Sequence, residues 1–159
     1  MRNIRVGFGF DVHRFVEGRA LWMGGIQLEH HRGLEGHSDA DVLIHAICDA
    51  LLGAADLRDI GFQFPDTSQE FEDIDSKILL CRTMDLIRDK GYNLGNIDVT
   101  VCAEQPKLNP YIPQMKLCLA KVMQVDLGDI SIKATTSEKM GYVGREEGIA
   151  AYATVLIFK

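Results

Sequence analysis

Two side chains that bind metals stand two residues apart near the start of the chain: Asp11 and His13, in the stretch GFGFDVHRF, residues 7–15. On a strand, residues i and i+2 share a face, so a carboxylate and an imidazole at this spacing can point at one ion. Carboxylate plus imidazole suits zinc. His45 is the candidate for a third ligand, because a helix following such a strand packs back across its sheet. Two His and one Asp leave a coordination position open, the mark of a catalytic rather than a structural zinc. Asp49 or Asp41, each four residues from His45 on one helical stripe, is placed to orient it. The competing reading is a hydrogen-bonded Asp–His pair, the commoner meaning of a lone D-x-H.

His37 and Ser38 precede the same helix, whose free N–H groups and dipole favour an anion, although Ser38 can equally serve as a cap. The stretch KATTSEK, residues 133–139, gathers two Thr hydroxyls, a carboxylate and two ammonium groups. It suits phosphate and a hard cation such as magnesium; otherwise it is a solvated turn. His30 and His31 have no carboxylate pattern around them and read as surface residues. The opening G-F-G-F-D-V is not a dinucleotide fingerprint, since Val12 occupies the third glycine position and no helix pattern follows.

The elements that must hold these groups follow from periodicity. Ile4, Val6, Phe8 and Phe10 alternate with Arg5, Gly7, Gly9 and Asp11, giving a strand with one packed apolar face and Asp11 and His13 on the other. Leu21–Met23, Gly24-Gly25 and Ile26–Leu28 read as a hairpin. Ser38 and Asp41 resemble a capping box before a partly buried helix from Val42 to Ala55. DIGFQFPDTSQEFEDID is loop-like, and a second helix runs from Ser76 to Lys90, closed by Gly91. A strand from Ile97 to Glu104 and a helix from about Pro110 to Val125 follow, with prolines confined to the helix's start. Ile130–Thr136 is a strand, SEKMGYVGREEG a glycine-punctuated loop, and Ile149–Phe158 a last strand, apolar on both faces. The order predicts a single α/β (α+β) domain spanning residues 1–159. Its mixed sheet carries helices on one face, and other subunits cover what the helices do not.

The chain has 159 residues, 47% of them hydrophobic, which is one ordinary domain with enough chain to bury a core. A net charge of −6 without basic runs argues against nucleic acid as a partner, but not against a small phosphorylated molecule. Cys48, Cys81, Cys102 and Cys118 form no C-x-x-C pair and read as reduced thiols of a cytoplasmic protein. No apolar run is long enough to span a membrane, and the N-terminal residues do not read as a signal peptide.

Taken together, GFDVHRF, GHSDADVLIHAICDALLGAADLRDIGFQFPDT, CAEQPKLNPYIPQM and IKATTSEKMGYVGREEGIA closely resemble the 2-C-methyl-D-erythritol 2,4-cyclodiphosphate synthase family of non-mevalonate isoprenoid biosynthesis. The likeness runs in order from about residue 5 to residue 157. It implies a homotrimer whose sheets face a central axis, with active sites between subunits. It implies zinc on Asp11, His13 and His45, magnesium or manganese on Glu138, diphosphate contacts from His37 and Ser38, and transition-state stabilisation by His37 and Thr136. Asp59, Ile60 and Gly61, then Phe64, Pro65, Asp66, Thr67 and Ser68, match segments around the methylerythritol end. Cytidine recognition falls on Ala103, Glu104, Gln105, Pro106, Lys107, Leu108 and Asn109, with Ala134, Thr135, Thr136, Ser137 and Glu138. Tyr142 stands where Phe is frequent in the family, and the 104–109 loop varies. Arg145 and Glu147 match positions near the threefold axis, where a cavity is associated with isoprenoid diphosphates; interchain ion pairing is the alternative.

The implied reaction closes 4-diphosphocytidyl-2-C-methyl-D-erythritol 2-phosphate into a cyclic diphosphate with release of CMP. A phosphate oxyanion is already a nucleophile, so the needs are alignment and charge neutralisation rather than a general base. Two other classes fit parts of the pattern. A zinc phosphohydrolase requires a base aimed at water, which no residue clearly supplies. A non-catalytic assembly protein has no need for Asp11, His13 and His45 together.

Overall fold

The computed structural model describes residues 3–65, 67, 71 and 73–159. The first strand, β1 (Ile4–Glu17), is followed by a hairpin of β2 (Leu21–Met23) and β3 (Ile26–Leu28), and by the short β4 (Arg32–Leu34). Helix α1 (Val42–Ala54), a single turn α2 (Ile60–Gln63) and helix α3 (Ser76–Asp89) lead to β5 (Asn93–Cys102). Helix α4 (Ile112–Met123), β6 (Ile130–Thr135), the turn α5 (Gly141–Gly144) and β7 (Gly148–Phe158) complete the order. Five strands form one mixed sheet, β4-β1-β7-β5-β6, in which only β5 and β6 pair in parallel. The result is the expected α+β domain, with α1, α3 and α4 contributing to a core against one face of the sheet.

The alternation in β1 is real, but the packed face is the opposite one. Ile4, Val6, Phe8, Phe10 and Val12 are between 42% and 65% exposed. The glycine face turns inward instead: a Cβ at Gly7 would overlap the carbonyl oxygen of Ala50, and one at Gly9 that of Ala46. Alternation identifies two faces without saying which is covered, and here the face without side chains admits a helix backbone at contact distance. Helix α1 itself is buried almost all round, lying between the sheet and α3. Strand β7 is buried on one face, while Tyr152 and Thr154 on the other are exposed, so only the first is a core face.

Capping also differs from expectation. Asp41, not Ser38, caps α1, its Oδ1 accepting from Ile44 N–H at 3.0 Å. The same fully buried carboxylate accepts from the N–H groups of Gly24 and Gly25 at 2.9 and 2.7 Å, fastening the β2–β3 turn to the helix. Burial and the nearby charge of Asp39 raise its pKa against the pull of these three bonds. The loops read from sequence contain α2 and α5, each too short to leave a periodic signal. Among the described residues, no helix is long and apolar enough to cross a membrane.

Replacing Gly9 with Ala is expected to destabilise the fold by about 3 kcal/mol or more, because the obstacle is backbone that cannot yield like a flexible side chain. Denaturant unfolding of the variant beside the parent chain measures it. An unchanged midpoint contradicts the close packing of α1 on β1.

Candidate metal and phosphate site

The close approach of α1 brings His45 over the face of β1 that carries Asp11 and His13. Asp11 Oδ2 lies 2.9 Å from His13 Nε2 and 3.1 Å from His45 Nδ1, and the two nitrogens are 3.1 Å apart. Three donor atoms at the corners of a near-equilateral triangle match one face of a coordination tetrahedron. For metal–ligand bonds of about 2.0–2.2 Å, that face has edges of about 3.3–3.6 Å. The donor set therefore fits a divalent metal with only a few tenths of an ångström of adjustment. His13 Nδ1 donates to the Glu35 carbonyl at 2.5 Å, which leaves Nε2 to face the triangle.

The titration of these groups shows the same crowding. Burial pushes Asp11 upward, but the hydrogen bonds and charges of His13 and His45 outweigh it and hold the carboxyl well below its usual range. Burial lowers His13, yet the hydrogen bond and charge of Asp11 prevail and raise it above an ordinary histidine.

A cavity of about 280 Å³ adjoins the triangle, walled by His13, His37, Ser38, His45, Ile60, Gly61, Phe64, Phe71, Ile74 and Leu79. Seven of these were expected at the site from sequence. Phe71, Ile74 and Leu79 were not, because they fall in or after a stretch read as a loop. Ser38 and exposed His37 reach the cavity from the loop before α1 rather than from a vacant helix N-terminus, which Asp41 fills. Arg19 holds this loop, donating to the carbonyls of Gly36 at 2.6 Å and Ser38 at 2.5 Å. Nothing local in the sequence marked Arg19 for that task.

Neither Asp41 nor Asp49 orients His45. Asp49 accepts from the Ile60 N–H at 2.8 Å, and Asp59 caps α2 by accepting from Phe62 N–H at 2.8 Å, so both position the Ile60-Gly61 wall. Phe64 packs edge-on against Phe71, and Pro65 and Thr67 are exposed nearby in the chain. Asp66 and Ser68 lie outside the described residues. His30 is half-buried against Phe15, their rings 5.2 Å apart, whereas His31 is exposed as expected.

A second cavity, about 460 Å³, is lined by Ala103, Pro106, Lys107, Leu108, Asn109, Pro110, Ala134, Thr135 and Thr136. It shares no lining residue with the first. Glu104 Oε1 accepts from the N–H groups of Ser137 and Lys139 at 3.0 and 3.1 Å and lies 3.3 Å from the Ser137 hydroxyl, tying the two loops around this cavity. Those bonds lower the Glu104 pKa. Gln105 is exposed and outside the lining. Thr136 donates to Glu138 at 3.2 Å, and Lys133 is paired with Asp98 at 2.5 Å, which removes one of the two ammonium groups expected to meet phosphate. Within one chain, Thr136 and Glu138 do not join the triangle's cavity. Tyr142 borders a small pocket with Val12, Arg14 and Glu147, and Arg145 is paired with Glu147 of its own chain at 2.6 Å.

Residues 4–158 match the profile of the YgbB family. The chain belongs to that family. A curated relative from Phocaeicola vulgatus, named 2-C-methyl-D-erythritol 2,4-cyclodiphosphate synthase, is 69% identical over 157 residues, covering 99% of this chain and 98% of the relative. Among solved structures, the bifunctional IspDF of Campylobacter jejuni is 43% identical with a TM-score of 0.96, covering 99% of this chain and 43% of the larger protein. IspF of Plasmodium falciparum, in complex with CDP, is 33% identical with a TM-score of 0.85, covering 97% of this chain and 95% of its own. The YgbB likeness thus extends over both cavities and every strand that positions them.

Titration with Co2+ is expected to show one tight site per chain whose affinity weakens at low pH. His13 must lose its proton to bind, so above its raised pKa affinity is level and below it falls by up to about tenfold per pH unit. Equal affinity at pH 8 and pH 5.5 contradicts this.

Proposed function

We propose that this chain converts 4-diphosphocytidyl-2-C-methyl-D-erythritol 2-phosphate into 2-C-methyl-D-erythritol 2,4-cyclodiphosphate and CMP, as a phosphorus–oxygen lyase of non-mevalonate isoprenoid biosynthesis. The observation that carries the reading is the Asp11–His13–His45 triangle opening on a cavity edged by His37 and Ser38, in a chain matching named cyclodiphosphate synthases along nearly its whole length. An oxygen of the 2-phosphate attacks the β-phosphorus, and the bond from that phosphorus to the bridging oxygen breaks. CMP leaves with the bridging electron pair. Zinc on Asp11, His13 and His45, and magnesium or manganese on Glu138, would act as Lewis acids that neutralise the phosphate charges and align attack with departure.

The remaining work falls to the chain. Ser38 and His37 hold the diphosphate along the cavity rim, and His37 and Thr136 donate hydrogen bonds where negative charge grows. Ile60, Gly61 and Phe64, supported by Asp49 and Asp59, cover the methylerythritol end and keep bulk water from the phosphorus. The second cavity takes the cytidine, with Lys107, Leu108 and Asn109 on one side and Ala134 and Thr135 on the other. The CDP in the Plasmodium falciparum relative supports a cytidine nucleotide as the ligand.

A homotrimer completes the site in this reading, one chain's metal cavity meeting the nucleotide cavity of the next. Support comes from the separation of the two cavities in a single chain and from the exposed row Ile4, Val6, Phe8, Phe10 and Val12, an apolar surface of the kind subunit contacts bury. Arg145 would then stand near the axis, where an isoprenoid diphosphate would have to compete with Glu147 for it. The four cysteines, all free, support a cytoplasmic location.

Phosphorus NMR of the chain with the linear substrate, zinc and magnesium is expected to show a cyclic diphosphate and CMP appearing together. Thr136→Val should lower kcat by about a hundredfold or more with KM little changed, because its hydrogen bond matters most in the transition state. Linear phosphate products would instead identify a zinc phosphohydrolase.

A further inference from the structure

We infer that Asp39 and Ser76 are positioning residues that determine which nitrogen of His45 carries its hydrogen, and thereby commit His45 to bind metal through Nδ1. The inference rests on reading Asp11, His13 and His45 as a metal site, and it concerns residues assigned no part in that site so far. Ser76 is fully buried at the first position of α3. Its N–H donates to Asp39 Oδ2 at 2.9 Å, and its hydroxyl donates to Asp39 Oδ1 at 2.5 Å. A hydroxyl has one hydrogen. With that hydrogen directed to Asp39, Ser76 Oγ can meet His45 Nε2, 3.0 Å away, only as an acceptor. Nε2 therefore carries the hydrogen, and the lone pair of neutral His45 is left on Nδ1, the atom in the triangle with Asp11 and His13.

The direction of this relay is fixed by backbone that cannot turn. Asp39 Oδ1 also accepts from Asp41 N–H at 3.2 Å, so both its oxygens face N–H donors. The two segments are stitched alongside by Asp39 N–H to the Ile74 carbonyl at 3.1 Å and Asp73 N–H to the His37 carbonyl at 2.8 Å. Ser38 cannot enforce the same choice. Its Oγ is 3.1 Å from His45 Nε2 and accepts from Ala40 N–H, but its own hydrogen is able to rotate toward Nε2 and favour the wrong tautomer. His13 is set in the opposite sense by the Glu35 carbonyl, which demands a hydrogen on Nδ1 and leaves Nε2 bare. Two imidazoles thus present different nitrogens to one point, and each needs its own fixed acceptor.

The test uses the full chain, stripped of metal and titrated with Zn2+ against a chromophoric chelator. Ser76→Ala is expected to weaken zinc about 10- to 100-fold, and Asp39→Asn, which keeps the shape but cannot accept at both positions, to weaken it in the same direction. Asp39→Asn carries the test if Ser76→Ala does not fold. In the metal-free parent chain, at a pH where His45 is neutral, histidine proton–nitrogen NMR should show the hydrogen on Nε2, and Ser76→Ala should shift population to the Nδ1–H tautomer, a change that a merely structural role does not produce. If the folded variants bind zinc as tightly as the parent, with one zinc per parent chain, the relay is overturned and the metal site stands. A parent chain that takes up no zinc overturns both.

Discussion

The distance between α1 and β1 governs the rest of this molecule. Gly7 and Gly9 let the helix carbonyls of Ala46 and Ala50 approach the strand backbone where a single methyl group would hold them away. Only at that separation does His45, immediately before Ala46, reach Asp11 and His13, the next two positions on the same strand face beyond Gly9. The candidate metal triangle is therefore a product of backbone packing first and of side-chain identity second. The same geometry leaves the aromatic row of β1 with no helix to cover it, since the strand has spent its inner face on glycine.

What was legible in the sequence had local causes. The period of two in β1, the i, i+2 pairing of Asp11 with His13 and the hairpin around Gly24-Gly25 are set by neighbours along the chain, and all three appear in the structure. Which face of β1 is buried was not legible, because that depends on a helix more than thirty residues away. Spacing places Asp41 beside His45 on the helix but cannot reveal that its carboxylate turns to the N–H groups of the β2–β3 turn. Arg19, Asp39 and Ser76 escaped notice for the same reason: each acts on a partner distant in sequence through ordinary residue types. Of the ten wall residues of the first cavity, His13, His37, Ser38 and His45 followed from residue type and spacing, and Ile60, Gly61 and Phe64 from family resemblance.

Acidic residues do unusual duty throughout. Asp41, Asp49 and Asp59 each accept hydrogen bonds from backbone N–H groups at the start of a helix or turn, and Asp39 does so across two segments. A carboxylate so bonded supports charge-assisted bonds roughly twice as strong as neutral ones. Part of the chain's formal net charge of −6 thus sits on carboxylates directed inward at its own backbone.

Glu104 extends that pattern to the second cavity, and its position there has a thermodynamic side. By holding Ser137 and Lys139 from across the gap, it sets the opposing loop before any ligand arrives. The freedom of that loop is surrendered when the chain folds rather than when a ligand enters, so ordering the loop adds no entropic cost to filling the cavity.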